Sequence, residues 1–91
     1  MKVWLFKQES KIDGEVFFNV NVCENEKAAK ELLEKEKNWI LNDSFHFGIK
    51  YTEKEREEYC TIEEGDNRFF ITDDSDDYYE ELIIEETETI K

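Results

Sequence analysis

The chain has 91 residues, of which 25 are acidic and 12 basic, and its formal net charge is -13. A chain of this length forms one small domain, for which the usual scaling predicts a radius of gyration of roughly 12 Å. The charge excludes DNA, RNA and anionic membranes as direct partners, because the basic residues are scattered along the chain. Thirteen Phe, Tyr and Trp side chains argue against disorder.

Residues 3–22 predict a β-hairpin. Residues 3–6 are apolar on both faces, as in a strand at the centre of a sheet. Asp13-Gly14 is a hairpin signal, and we expect a positive φ at Gly14. A half-buried strand of period two follows, with its apolar face formed by Val16, Phe18, Val20 and Val22.

The next segment predicts the principal helix, over about residues 26–41. Asn25 is suited to cap it, and Glu26 places a negative charge in its first turn. One face of this helix is apolar and should cover one face of the sheet. That face comprises Ala29, Leu32, Leu33, Trp39 and Ile40.

The second half of the chain predicts further strands and a short helical turn. Residues 45–51 alternate between apolar and other side chains, which indicates a strand. Thr52 and Glu55 match a capping box and predict a helical turn over residues 53–58. Gly65-Asp66-Asn67 lies between two strand-like runs, residues 59–63 and 68–72, and predicts a second hairpin.

The last segment, residues 78–90, fits two structures. A helix could start at Ser75, but the β-branched residues favour a strand over residues 81–90. With that strand, residues 1–91 form a single α+β domain. It has a mainly antiparallel sheet and one principal helix packed on one face.

Cysteine content and hydropathy bear on the compartment. Cys23 and Cys60 fit two buried thiols in a reducing cytosol, and a single disulfide is the alternative. The longest apolar run has four residues, too few for a signal peptide or a membrane span. We therefore expect a cytoplasmic protein.

The acidic residues are unevenly distributed. Residues 46–91 carry sixteen acids and five bases, whereas residues 1–45 carry nine acids and seven bases. Two acidic groups are candidates for contact with a partner. The first, with Tyr78 as an aromatic anchor, is Asp73, Asp74, Asp76, Asp77, Glu80 and Glu81. The second is Glu57, Glu58, Glu63, Glu64 and Asp66.

A solvated face that keeps the protein soluble is the simplest interpretation of these acids. Calcium binding is another, because Asp73, Ser75 and Asp77 alternate as at the start of an EF-hand loop. Tyr78 and Ile84, however, stand where that loop needs glycine and glutamate. We therefore predict neither a metal nor another cofactor.

Catalysis has little support in the sequence. The single histidine, His46, lies between Phe45 and Phe47, a setting typical of a structural or surface histidine. The serines lie outside any nucleophile motif, and three glycines form no phosphate-binding loop. The chain is therefore predicted not to be an enzyme.

In size, acidic balance and the acidic tract of residues 73–88, the chain resembles small phage-encoded inhibitors that mimic DNA. These include uracil-DNA glycosylase inhibitors and several anti-CRISPR proteins. The resemblance implies a phage anti-defence protein in the bacterial host cytosol, which blocks a nucleic-acid enzyme by occupying its DNA site. Against CRISPR effectors, some such proteins engage the arginines that read the PAM.

The carboxylates themselves predict the same kind of partner, a basic surface on a nucleic-acid-binding protein or nuclease. We therefore predict a non-enzymatic inhibitor that mimics nucleic acid. The alternative is a homo-oligomeric accessory protein, for instance a homodimer. In that protein an exposed strand edge, such as the C-terminal one, pairs with a second copy, and the acids provide solubility only.

Overall fold

A computed structural model of the chain describes residues 2–73, 75 and 77–88. The fold is α+β, as predicted: five antiparallel strands form one sheet in the order β2-β1-β5-β4-β3, and one principal helix packs against it. The elements are β1 (Lys2–Ile12), β2 (Glu15–Cys23), α1 (Glu26–Asn42), a π-helical turn (Phe45–Ile49), α2 (Glu53–Tyr59), β3 (Cys60–Gly65), β4 (Arg68–Asp73) and β5 (Tyr79–Glu88).

The first hairpin is confirmed, with longer strands than predicted. Its turn is only Asp13 and Gly14, whose φ angles are 53° and 82°. Positive φ at both positions twists a two-residue turn in the sense that the strands need, and glycine adopts it without strain. β1 pairs with β2 on one side and with β5 on the other, so residues 3–6 lie in the middle of the sheet, as expected.

Helix α1 begins where the sequence predicts. The Asn25 side chain accepts a hydrogen bond from the Ala28 backbone N–H at 2.8 Å, which satisfies one of the N–H groups left open at a helix start. The helix buries Ala29, Leu33 and Ile40 against the sheet. From the sheet, the core receives Phe6, Phe69, Ile71, Leu82 and Ile84. Each fully buried large side chain contributes about 2 kcal/mol to folding.

The predicted strand over residues 45–51 is wrong, because Phe45–Ile49 forms a π-helical turn. The Ser44 hydroxyl donates to the Ile40 carbonyl at 2.5 Å and accepts from the Gly48 N–H at 3.2 Å. A Cβ at Gly48 would lie 2.6 Å from the Asn42 carbonyl carbon, so this position requires glycine. These contacts outweigh the local alternation, which would otherwise favour a strand.

Helix α2 carries the predicted capping box, with Thr52 and Glu55 bonded to each other's backbone N–H. Its buried Arg56 donates to the Phe47 carbonyl at 2.8 Å and also to the Leu41 carbonyl. Arg56 therefore fastens α2 to the π-helical turn and to the end of α1. A buried guanidinium is stable here because carbonyl oxygens accept its hydrogen bonds.

The second hairpin, β3–β4, and the C-terminal strand are also confirmed. β5 begins two residues earlier than predicted, and residues 89–90 of the predicted strand lie outside the described residues. β5 is paired on both sides, with β1 and β4. The expectation that the C-terminal strand is an exposed edge is therefore wrong, since the edges are β2 and β3.

The edges also explain why the two cysteines do not form a disulfide with each other. Cys23 ends β2 and Cys60 begins β3, so they lie at opposite edges of the sheet. Cys23 is buried, as predicted, and Cys60 is partly buried.

The molecule is elongated, with extents of 45 × 24 × 19 Å and a radius of gyration of 14.1 Å. That radius exceeds the value predicted for a compact domain because α1 covers only one face of the sheet. Among the described residues, no helix has both the length and the apolar character that crossing a membrane requires.

The prediction that β2 is a half-buried strand is wrong, because α1 covers only one face of the sheet. The register pairs Phe6 with Asn21 and Trp4 with Cys23, which turns Asn19, Asn21 and Cys23 toward the helix. The alternating apolar residues lie on the opposite, open face and are not half-buried. Their exposed fractions are Val16 46%, Phe18 74%, Val20 55% and Val22 69%.

Candidate functional site

The first predicted acidic group lies largely within the chain's own contacts. Asp73 and Glu80 are only 7% and 6% exposed, so the expectation that they present carboxylates to a partner is wrong. The cause is strand parity. Asp73 follows Phe69 and Ile71 on the helix-facing side of β4, and Glu80 precedes Leu82 on the same side of β5.

Asp73 is the centre of a polar network. Its Oδ2 contacts His46 Nε2, and its Oδ1 accepts hydrogen bonds from the Ser75 backbone N–H at 3.0 Å and from the Ser75 hydroxyl. Burial by itself would raise the pKa of Asp73, but the bonds from Ser75 and His46 outweigh it and lower that pKa below its ordinary value. The carboxylate lies between serine and histidine, so the Ser75 hydroxyl donates to Asp73 and is not activated by the imidazole.

His46 joins the π-helical turn to the segment between β4 and β5. Its ring stacks on Tyr78 with centroids 3.7 Å apart and planes 4° from parallel. It also meets Phe47 and Tyr51 edge to face. The structural interpretation of His46 accounts for all of these contacts, although the residue lies in a helical turn rather than in the predicted strand.

Tyr78, the predicted anchor, is also engaged within the chain. Its hydroxyl donates to Asp13 Oδ1 at 2.6 Å, a bond that raises the pKa of Tyr78. The Gly14 N–H donates to the Asp77 carbonyl at 3.2 Å, so the turn of the first hairpin rests on the segment before β5. The Tyr79 hydroxyl donates to Glu9, and this bond raises the pKa of Tyr79 to about 12.

The remaining members of the first group are divided. Glu81 is paired with Arg68 at 3.3 Å, and the Asp77 side chain is exposed. Asp74 and Asp76 lie outside the described residues. The first group therefore presents little free carboxylate among its described members.

Glu80 lies at an open cavity of about 380 Å³ between α1 and the first hairpin, which is also lined by Glu36, Trp39 and Phe17. Gln8 donates to its carboxylate at 3.2 Å. Burial raises the pKa of Glu80 above its ordinary value, the charge of Glu36 adds to that rise, and hydrogen bonds from Ser10 and Gln8 oppose it.

The second predicted acidic group is exposed at the β3 edge of the sheet. Glu57 and Glu58 lie on α2, which packs against β3. Glu63 and Glu64 lie on β3, and Asp66 lies in the β3–β4 turn. We call these five residues the acidic edge, and all of them are exposed.

Charge compensation within the acidic edge is partial. Glu63 lies 3.7 Å from Arg68, and Glu64 lies 3.3 Å from Lys37. Glu57, Glu58 and Asp66 form no ion pair with any base in the part of the chain that the structure describes. These three carboxylates are therefore available to an external cation.

The opposite edge of the sheet is apolar. We call β2 with its four open-face side chains, Val16, Phe18, Val20 and Val22, the apolar edge. β2 contains one charged residue, Glu15, and no proline. Within residues 2–73, 75 and 77–88, no strand pairs with its outer side. The sequence signal for this surface was the alternation itself, which identifies an apolar face but not what covers it.

Asp73, Ser75 and Asp77 have the alternating spacing of the start of an EF-hand loop. The structure uses the Asp73 carboxylate as an acceptor for Ser75. Among the described residues, no group of three or more His, Cys, Asp or Glu side chains is arranged to hold a metal ion.

The sequence matches no protein-family model and no curated protein, and the fold matches no solved structure.

Proposed function

We propose that the protein is a non-enzymatic acidic binding protein whose acidic edge occupies the nucleic-acid-binding surface of another protein, such as a nuclease. The observation that carries this proposal is the set of exposed carboxylates at Glu57, Glu58 and Asp66, which no base of the described chain neutralises. An inhibitor directed against a bacterial defence enzyme is the most specific form of this function.

The physical basis is electrostatic imitation of a phosphate backbone. Surfaces that bind nucleic acid present Arg and Lys to phosphate oxygens, and carboxylates accept the same charge-assisted hydrogen bonds. Glu63 and Glu64 are held on a strand, and Glu57 and Glu58 on a capped helix, so little backbone entropy is lost when they bind. The net charge of -13 would accelerate encounter with a basic surface at low salt.

Solubility alone remains the competing explanation of the acidic edge, and it makes a different prediction. A solubilising charge acts through its total, so its position on the surface is unimportant. A binding surface depends on position. Two variants with equal charge changes in different places therefore separate the two explanations.

The test compares E57Q/E58Q/D66N with E24Q/E31Q/D43N. Both triple variants replace two glutamates and one aspartate, all exposed and without ion pairs to described bases. Each immobilised protein is incubated at low salt with a nuclease-treated bacterial lysate and then eluted with double-stranded DNA. Mass spectrometry identifies the proteins that the DNA releases.

We expect the wild type to capture nucleic-acid enzymes that DNA displaces. Exposed ion pairs contribute about 0.5 kcal/mol each, so E57Q/E58Q/D66N should bind them roughly tenfold more weakly. E24Q/E31Q/D43N should bind like the wild type. Equal retention by both triple variants would contradict the proposal, as would capture that DNA does not displace. The free energy of unfolding of both variants should stay within about 0.5 kcal/mol of the wild type.

A further inference from the structure

The apolar edge is unusual for the outer strand of a sheet. Edge strands in monomeric proteins are commonly protected by charges, proline or bulges, since their unpaired backbone groups invite another strand. β2 has nine residues, one charge and no proline, and Phe18 is 74% exposed. Exposed apolar patches of this kind mark interaction surfaces.

Charge limits which partner can approach this edge. Residues 2–23, which form the first hairpin, contain three bases and three acids and are neutral, so the net charge of -13 lies elsewhere in the chain. A basic partner gains nothing from a neutral surface. A second copy of this acidic chain, by contrast, meets the least repulsion there.

The acidic edge does not prevent such an approach. It lies four strand spacings from β2, or about 19 Å. This is roughly twice the Debye length at physiological ionic strength, so its repulsion is screened across that distance.

The sequence of β2 is also self-complementary. A two-fold axis perpendicular to the sheet at Asn19 would align two β2 strands antiparallel. It would place Val16 opposite Val22 of the partner copy and Phe18 opposite Val20 of the partner copy. All four cross-strand pairs on the open face are then apolar, and apolar pairs of this kind stabilise strand pairing.

We propose that two copies of the chain associate through the apolar edge, joining two five-stranded sheets into one of ten strands. This inference does not depend on the function of the acidic edge. In the dimer the two acidic edges lie at opposite ends of the continuous sheet, about 43 Å apart. Each dimer would therefore present two separate acidic surfaces.

The test measures mass in solution by size-exclusion chromatography with light scattering, at physiological ionic strength. Phe18→Glu places a carboxylate against Val20 of the partner copy. Val20→Lys places an ammonium against Phe18 of the partner copy. Phe45→Glu is the matched control, because Phe45 is 79% exposed and lies in the π-helical turn, outside β2. Circular dichroism checks that each variant is folded.

The wild type and F45E should have twice the mass of one chain. F18E and V20K should each dimerise roughly tenfold more weakly, because each dimer would lose two apolar cross-strand pairs and set a charged group beside an apolar one instead. An equimolar mixture of F18E and V20K should regain the dimer mass, since the introduced carboxylate of one variant and the introduced ammonium of the other would then pair across the interface.

Two results would overturn the proposal. One is a wild type that stays monomeric as its concentration is raised. Another is an F18E variant that dimerises as well as F45E, since the interface would then lie elsewhere. If the wild type is monomeric and F18E, but not F45E, fails to retain a protein that the wild type captures from a bacterial lysate, β2 binds a different chain.

Discussion

The two acidic segments of this chain have similar compositions, but one turns carboxylates into the fold and the other turns them to solvent. The segment from Asp73 to Glu81 turns two carboxylates inward, where His46, Ser75 and Gln8 contact them. The segment from Glu57 to Asp66 turns its carboxylates to solvent. The density of acids in a sequence therefore does not locate the acidic surface of the fold, because strand parity decides which carboxylates are buried.

The sheet topology adds a second contrast, between its two edges. β1 and β2 come from the neutral start of the chain and form one side, whereas β3 and β4 come from the acidic half and form the other. The charge asymmetry along the sequence thereby becomes an asymmetry in space. β3 is protected from strand addition by its glutamates, as expected of an edge, and β2 is not.

The largest expected effect on stability is at Asp73, in the segment that turns carboxylates into the fold. Asp73→Ala should lower the free energy of unfolding at pH 7 by about 2 kcal/mol, because His46 and Ser75 would lose a buried acceptor. The exposed Asp77→Ala should change it by less than about 0.5 kcal/mol. Urea unfolding of both variants measures the difference, and equal values would indicate that Asp73 is not structurally important.

The effect of Asp73 also depends on pH. Its pKa is lowered in the folded chain, so its contribution is present above the ordinary value of 3.8 and is lost as the pH falls through the lowered pKa. The difference in the free energy of unfolding between wild type and D73A should therefore shrink when unfolding is measured at a pH well below 3.8. A difference that stays constant with pH would contradict this.

A smaller effect of opposite sign is expected at Glu80. Its pKa is raised in the folded chain, so folding favours the neutral carboxyl, and stability is lost as the pH rises from 4.5 through the raised pKa. Glu80→Gln removes that loss and should stabilise the protein at pH 7 by about 1 kcal/mol.

The gain from E80Q should disappear below pH 4.5, where the wild-type carboxyl is also neutral. Glu81→Gln, on the opposite face of the same strand, is the control and should show no such gain. Thermal unfolding at both pH values measures the effect. A destabilised E80Q at pH 7 would show that the charged carboxylate is needed there.

Most of the fold follows from local signals in the sequence. Asn25, the Thr52–Glu55 capping box and Asp13-Gly14 place the helix starts and the first turn correctly, because each depends on neighbouring residues only. The strand prediction for residues 45–51 is wrong because hydrogen bonds of Ser44, and one from Arg56 to the Phe47 carbonyl nine residues before it, hold a helical turn there. Alternation cannot report such a contact.

The site was less predictable, since it depends on how strands pair. Glu80 shares its parity with Leu82 and Ile84, which was a signal of burial available in the sequence. For Phe18 the parity was equally clear, but it does not say which face of the sheet the one predicted helix covers. Alternation with a period of two residues defines the two faces of a strand, and only the complete fold determines which face is covered.

The most direct test of the acidic edge is the salt dependence of its affinity for a purified captured enzyme. Salt weakens the attraction between carboxylates and basic groups by screening it, so the affinity should fall as the salt concentration rises. For E57Q/E58Q/D66N we expect a shallower slope of log affinity against log salt than for the wild type, and for E24Q/E31Q/D43N an unchanged slope. Identical slopes for the wild type and E57Q/E58Q/D66N would show that these carboxylates do not contact the enzyme.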